Sequence, residues 1–292
     1  MKTKKETAVS PAETINTKKK RKSIFGISVS FNISLAIIAI LLIVAAVPGM
    51  IAPYDPNYQD YSIVLQPPSS EHLFGTDNYG RDIFSRVIWG TRIDLAMGIF
   101  AMIVPLIVGS IIGLIAGYFG GWIDTLLMRI LDIVMSFPFV LLVIAIVAIM
   151  GPGLLNMFVA IWLVGWRDYA RLVRSEVIVA KNNEYVEAAK VLGYSQVRIL
   201  LRHILPNVIN SAITFAASDI VMCMLTGASL SFLGLGVQAP TAEWGAMIAG
   251  GRTFITQAWW ICVFPGIATC FAGIGFGLFG DGVADLLRAK SR

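Results

Sequence analysis

Read for polarity alone, the chain alternates long apolar runs with short charged stretches. Residues 24–47 carry no charge and are numerous enough to cross a bilayer core, and Pro48-Gly49 ends them. A second run covers 95–118. Within and just beyond it, Gly109, Gly113, Gly117 and Gly121 recur on one helical face, where missing side chains let a neighbouring helix approach closely. A third run, 126–150, holds Asp132 in its first turns and Pro138, which predicts a kink. Gly151-Pro152-Gly153 turns the chain into a fourth run, 154–166, which extends toward Leu172. The fifth run, 208–230, contains Asp219 at mid-span, and the sixth, 259–279, stops at Gly280-Asp281-Gly282. The pattern predicts an all-α integral membrane protein with six transmembrane helices.

The stretches between these runs set a direction. Residues 1–23 are polar and lysine-rich, and read as a disordered basic tail whose Lys18–Lys22 cluster anchors the first span on the cytoplasmic side. A signal peptide is the rival reading, but the apolar run is too long for one. Segment 49–94 is turn-rich and acidic: Asp55, Asp60, Glu71, Asp77, Asp82 and Asp94 outnumber Arg81, Arg86 and Arg92. It is expected outside, with an amphipathic helix at 81–90 whose Ile83, Val87 and Ile88 face the membrane. The body of the protein is then 95–285. Arg167, Arg171, Arg174 and Lys181 mark the inner end of the fourth span, and Arg288, Lys290 and Arg292 keep the tail, 286–292, inside. Both termini are expected in the cytoplasm.

Composition agrees, with 57% hydrophobic and 14% charged residues and a mean hydropathy of +0.75, too few charges to cover a water-soluble surface. The net charge of +5 does not imply nucleic acid, because the basic residues gather at the tail and beside the fourth and fifth runs. Cys223, Cys262 and Cys270 lack CxxC spacing and read as inert packing residues in the spans.

Catalytic patterns are absent from the sequence. The two histidines, His72 and His203, form neither HExxH nor a zinc spacing. Gly227-Ala228-Ser229-Leu230-Ser231 lacks the last glycine of a nucleophile elbow. In GAMIAGGRT, Gly251 stands where a phosphate-binding loop needs lysine, so the chain carries no nucleotide-binding loop of that kind. The chain is expected to be no enzyme and to hold no cofactor or metal. ATP and magnesium, if used, belong to another polypeptide.

One charged stretch interrupts the apolar pattern late in the chain: 187–206, EAAKVLGYSQVRILLRHILP. Glu187-Ala188-Ala189 favours helix and Gly193 suits the left-handed residue that ends one. Val197, Ile199, Leu200, Leu201 and Ile204 open a new apolar face, and Pro206 sits where a helix is re-entered. The reading is a short surface helix, a bend, then a span. Taken alone it is an ordinary interfacial helix.

In its spacing, however, Glu187-Ala188-Ala189, Gly193 and Ile204-Leu205-Pro206 resemble the cytoplasmic EAA loop of permease subunits in bacterial ABC importers. Three further groups of residues resemble the second permease of the dipeptide, oligopeptide and nickel branch. They are Phe74-Gly75-Thr76-Asp77 with Gly80-Arg81-Asp82 and Ser85-Arg86; Ser231-Phe232-Leu233-Gly234-Leu235-Gly236; and Pro240 through Gly245 with Gly280-Asp281-Gly282. The ending VADLLRAKSR departs from that branch, which follows its Gly-Asp-Gly with an arginine-aspartate pair. The resemblance implies a type I ABC importer permease fold and partners: a second, different permease, two ATPase subunits, an extracytoplasmic solute-binding protein and the lipid bilayer. It assigns the ATPase contact to the loop at 184–206, through Glu187, Ala188, Ala189, Gly193, His203, Leu205 and Pro206. The cargo it implies is a di- or oligopeptide, with nickel or a metal chelate as the alternative.

Carboxylates inside spans are expensive and point to function. Asp132 is expected to reach the interface or pair with Arg129, whereas Asp219 is the candidate for the solute path. An ATP-independent secondary transporter is the reading from another class, but it needs broken-helix ion sites, usually in inverted repeats, and the sequence shows no clear duplication. A membrane peptidase is more distant still.

Overall fold

The computed structural model describes residues 29–290. The expected basic tail and the start of the first span lie outside them. Among the described residues nine helices longer than one turn succeed one another in order: α1 Val29–Ala46, α2 Ile83–Phe119, α3 Gly121–Met135, α4 Phe139–Met150, α5 Leu154–Ala180, α6 Glu184–Val191, α7 Gln196–Phe232, α8 Trp244–Gly251 and α9 Trp260–Lys290. Among the described residues there is no strand, only an isolated bridge between Thr76 and Asp82.

Within the described residues four helices, α1, α2, α7 and α9, are long and apolar enough to cross a membrane, and α3 with α4 make a fifth candidate if the bent pair is one span. The expected fourth span is longer than the sequence suggested: α5 runs unbroken to Ala180 and carries Arg167, Asp168, Arg171, Arg174 and Glu176 in its second half. Those charges, not its length, keep it below a membrane-spanning hydropathy.

The expected amphipathic helix at 81–90 is not a separate element. Asp82 caps α2 by accepting from the Ser85 N–H at 2.7 Å, and the helix continues unbroken for 37 residues. Ile83 and Val87 face protein, packed with Trp244, Trp260 and Ile261 rather than with lipid. At 1.5 Å per residue, α2 is roughly 55 Å long and reaches from one end of the bundle to the other. Its first turns meet α8 and α9, while Leu114 near its other end packs with Val177, Val186 and Ala189 of α5 and α6.

Three of the four spaced glycines do what the spacing predicts. A Cβ on Gly113 would lie 2.5 Å from the Ala170 carbonyl oxygen, and Gly109 and Gly117 sit equally hard against α5 at Trp166 and Val177. Gly121 is different: it adopts φ +56° in the turn between α2 and α3 and faces open space.

Segment 52–82 folds on itself. Asp77 accepts from the N–H groups of Tyr79 and Arg81 and from Arg81 Nε at 2.7 Å, His72 Nδ1 lies 3.0 Å from Asp82 Oδ1, and the Trp260 indole donates to the Thr76 carbonyl. Phe74 stacks on Phe264 at 4.0 Å. The residues 74–86, so distinctive in the sequence, are therefore largely committed to a clasp over α2 and α9.

Opposite them, Glu243 caps α8 by accepting from the Gly245 and Ala246 N–H groups, both at 2.7 Å. Burial is the dominant influence on that carboxyl and pushes its pKa upward. The Trp244 N–H donates to Asp94 and its indole to the Val87 carbonyl, which ties α8 to α2. Cys223 is buried as expected, but Cys262 is half-buried and Cys270 is exposed on α9.

Candidate functional site

Two regions of the fold hold the residues that the sequence singled out. The first is the element between α5 and α7. Lys181 ends α5 and reaches back to donate to the Gly117 carbonyl at 2.8 Å, so the turn into α6 is tied to the far end of α2. Helix α6 buries Val186 and Ala189 and turns Glu187, Ala188 and Lys190 outward. Gly193 closes it at φ +75°, with its N–H on the Lys190 carbonyl and the Tyr194 N–H on that of Ala189. Ser195 then caps the next helix through the Arg198 N–H.

Pro206 shapes the entry into α7. It has no N–H to offer the Arg202 carbonyl, and its ring crowds that turn. The Leu205 N–H instead reaches back five residues to the Leu200 carbonyl, and Leu200–Ile204 forms a π turn at the start of α7. His203 is half-buried and stacks on Tyr194 at 5.8 Å, and the Arg198 guanidinium covers the same ring at 4.2 Å. Asn207 Nδ2 donates to the His203 carbonyl at 2.7 Å and to Tyr185 Oη at 3.3 Å, joining α6 to α7. Leu205 is half-buried and Pro206 exposed.

This bracing holds an apolar tip in the open. Val191 is 88% exposed, Leu192 69% and Val197 64%, next to the charged Lys190 and Arg198. Large apolar side chains gathered on so small an element, on a scaffold that anchors its inner face, have the character of an interaction surface.

The second region is the break between α3 and α4. The two helices meet at 83° across Ser136-Phe137-Pro138, so the predicted kink is a full elbow. Helix α3 buries only Leu131. It is held mainly by polar rungs from α5. Arg174 forms a two-pronged pair with Asp124 at 2.5 and 2.6 Å, Arg171 reaches Asp132 at 3.2 Å, and Arg167 donates to the carbonyls of Val134 and Phe137 at 3.3 and 3.4 Å. The expected pairing of Asp132 with Arg129 is not formed; α5 lies alongside and offers Arg171 instead. The spacing of Arg167, Arg171 and Arg174 was the sequence signal for this ladder. It reads as a charge-bias marker until a facing helix supplies the partners.

The Arg174–Asp124 rung is the strongest, with two parallel N–H···O bonds between side chains only 30% and 20% exposed. Arg174→Ala should destabilise the solubilised protein by about 1–3 kcal/mol, between the values for exposed and for buried pairs. Arg174→Lys should recover little, having lost the fork, whereas exchanging both residues should recover most. Thermal unfolding in detergent checks this; equal stability of all variants would show that the rung does not fasten α3.

Asp219 lies in α7 behind the elbow. Tyr169 Oη of α5 donates to its Oδ2 at 2.8 Å, and Cys223 Sγ lies 3.8 Å from the same oxygen. Sequence reading missed Tyr169, whose hydroxyl is the polar partner at this depth. Beside them is a cavity of about 320 Å³, lined by Asp168, Asp219 and Arg167 among apolar residues from α2, α4, α5 and α7. The structure thus separates the predicted residues into two places. Glu187, Ala188, Ala189, Gly193, His203, Leu205 and Pro206 lie together on α6, the turn after it and the first turns of α7, and Asp219 stands further along α7 at the elbow.

Comparison with known proteins gives these regions a context. Residues 109–292 match the family described as "Binding-protein-dependent transport system inner membrane component", and 31–68 match the "N-terminal TM domain of oligopeptide transport permease C". A curated relative, the glutathione transport system permease protein GsiD of Escherichia coli, is 46% identical over 257 residues, covering 87% of this chain and 85% of the relative. The protein of the same name from Pectobacterium atrosepticum is 44% identical over 254 residues, with 87% and 84% covered. Among solved structures, inward-facing forms of the MetNI methionine ABC transporter superpose with TM-scores of 0.57 and 0.58 at 17% and 16% identity. They cover 71% and 72% of this chain, and 97% and 98% of the matched chain, which shows a shared fold.

Proposed function

The chain belongs to the binding-protein-dependent transport system inner membrane components, as a peptide-type permease subunit of an ABC importer, and on that premise we propose that it translocates small peptides, glutathione-sized ones among them, by ATP-driven alternating access. In this reading it crosses the cytoplasmic membrane six times with both termini inside, the bent α3–α4 pair counting as one span and α5, despite its charged second half, as another. A second, different permease faces it across the solute path. Two ATPase subunits supply ATP and magnesium and dock on the α6 element, and an extracytoplasmic binding protein delivers cargo to the end occupied by α8 and the 52–82 clasp.

The observation that carries the reading is the apolar tip at Val191, Leu192 and Val197, exposed on an element that is itself rigidly braced to α2 and α7. A tip that docks on a moving partner transmits displacement only if its own root does not yield. With Ile199, Ile204 and Val208 packed against Val173, Val177 and Val186, the root is part of the core. ATP-driven closure of the ATPase pair would then displace α6, and with it the ends of α2, α5 and α7, which is a two-state device biased by unequal contacts in its two states.

Cargo is inferred from the relatives: a protein 46% identical is named for glutathione, a tripeptide with peptide-like chemistry. Membrane vesicles carrying the whole transporter should accumulate labelled glutathione or a dipeptide only with ATP and the delivery protein, and nickel should not compete. Nickel uptake without peptide uptake would instead establish the metal alternative, and ion-driven uptake by the isolated chain would establish a secondary transporter.

A further inference from the structure

Within the peptide-transport reading, on which this inference rests, we propose that the elbow cavity receives the protonated amino group of the passing solute, with Asp219 Oδ1 as the receiving atom. Both hydrogen bonds to the Asp219 carboxylate, from Tyr169 Oη and Cys223 Sγ, fall on Oδ2. Among the described residues the buried side-chain polar atom left without a partner is Ser110 Oγ. The unbonded Oδ1 is therefore not sealed into protein, and Asp219 is one of the residues that line the cavity.

The neighbouring charges leave that oxygen without a cation. Arg167 is the one basic residue lining the cavity, and its guanidinium is committed elsewhere. It donates to the Val134 and Phe137 carbonyls at the elbow, lies 3.5 Å from Asp168, and stands over the Phe139 ring at 5.3 Å. Asp168 answers Arg167, so the wall keeps one carboxylate with no counter-charge. The remaining surface is apolar, from Pro105, Ile161, Phe215 and Met222. A carboxylate among such walls at membrane depth gains most from a cation that brings its own N–H donors, and it repels an anion. At about 320 Å³ the cavity has room for the amino-terminal end of a small peptide. It also opens beside Met222, which is 61% exposed on α7, so it can be reached from the outer face of that helix. Tyr169 fixes the carboxylate's orientation and acts as a positioning residue.

The test is ATP-driven uptake by proteoliposomes of the complete transporter, given labelled glutathione or its N-acetyl derivative with the delivery protein saturated. Asp219→Asn should lower the ratio of glutathione to N-acetylglutathione uptake about tenfold, as expected for loss of one charge-assisted pair. Asp219→Glu should keep the ratio, and Asp219→Ser serves if the asparagine variant does not co-purify with its partners. Should the wild type carry no N-acetylglutathione, its appearance as cargo in the variant is the expected result and its continued rejection overturns the proposal. An unchanged ratio, with both uptakes reduced alike or neither, also overturns it, because a merely structural Asp219 would affect both peptides equally. Failure of the wild type to take up either peptide would instead sink the peptide reading itself.

Discussion

Gly113→Leu should prevent the bundle from closing. The new Cβ alone would meet the Ala170 carbonyl oxygen at 2.5 Å, the Arg174 nitrogen at 2.9 Å and Val173 Cβ at 2.9 Å, so two backbones must separate. Overpacking a core costs typically about 1–3 kcal/mol, and a clash with backbone sits at or above the top of that range. Helices α2 and α5 also position everything else, because α2 runs the length of the molecule and α5 carries the rungs to α3. The expected outcome is a large fall in membrane-inserted, assembled protein. Gly277→Leu is the control: nothing lies within 4 Å of its Cβ position, and the change should stay within about 0.5 kcal/mol. Detergent-resistant fold and co-purification with partner subunits measure both. If Gly113→Leu assembles as well as Gly277→Leu, the close approach of α2 to α5 is not what holds the bundle together.

Gly193→Pro should leave the bundle standing and disconnect it from its motor. Proline is locked near φ −65°, whereas residue 193 sits at +75°, and the Gly193 N–H that closes α6 on Lys190 would be lost. A residue forced out of its native region costs about 1–3 kcal/mol, and the least expensive relief is to swing α6, an eight-residue helix, rather than disturb the long helices behind it. The tip at Val191 and Leu192 then points elsewhere. Insertion and ATP hydrolysis by the complex should persist while uptake falls to background. Glu187→Lys, a reversal of charge on an exposed face of the same helix, should have the same character with smaller effect. Parallel measurement of ATPase rate and uptake decides it, and normal uptake by both variants would refute the coupling role of this element.

Both predictions rest on positions visible in the bare sequence, but for different reasons. Glycine and proline carry their meaning locally. Gly193 can end a helix in the left-handed region, Pro206 cannot continue a hydrogen-bond ladder, and three glycines four apart make a smooth helix face whatever surrounds them. Such features were legible because the cause is in the residue. Asp132 was legible only in part: the sequence offered Arg129 as partner, and the choice of Arg171 depended on which helix lay alongside. Tyr169 and Asp219 are 50 residues apart, and nothing in either neighbourhood announces their bond.

The amphipathic stretch at 81–90 shows the same limit from the other direction. Ile83 and Val87 were correctly read as an apolar face, yet an apolar face has the same spacing whether lipid or Trp244 covers it. Likewise the sequence pattern stops the fourth span short at its charges, because hydropathy counts charges and does not see the carboxylates and carbonyls of α3 and the elbow that receive them.

From the chain alone come the solvent, the helical class, the number of long apolar runs, the breaks at Pro138 and Gly193, and the loop at 184–206 that resembles a coupling element. Those properties arise from hydrophobicity, backbone freedom and short-range spacing, each of which acts within a few residues. Only the tertiary structure decided the 83° elbow, the ladder that fastens α3 to α5, the apolar tip left bare on a braced root, and the cavity into which Asp219 opens. Each of these is a relation between segments tens of residues apart, set by which helices pack together, and such relations exist only once the chain has closed on itself.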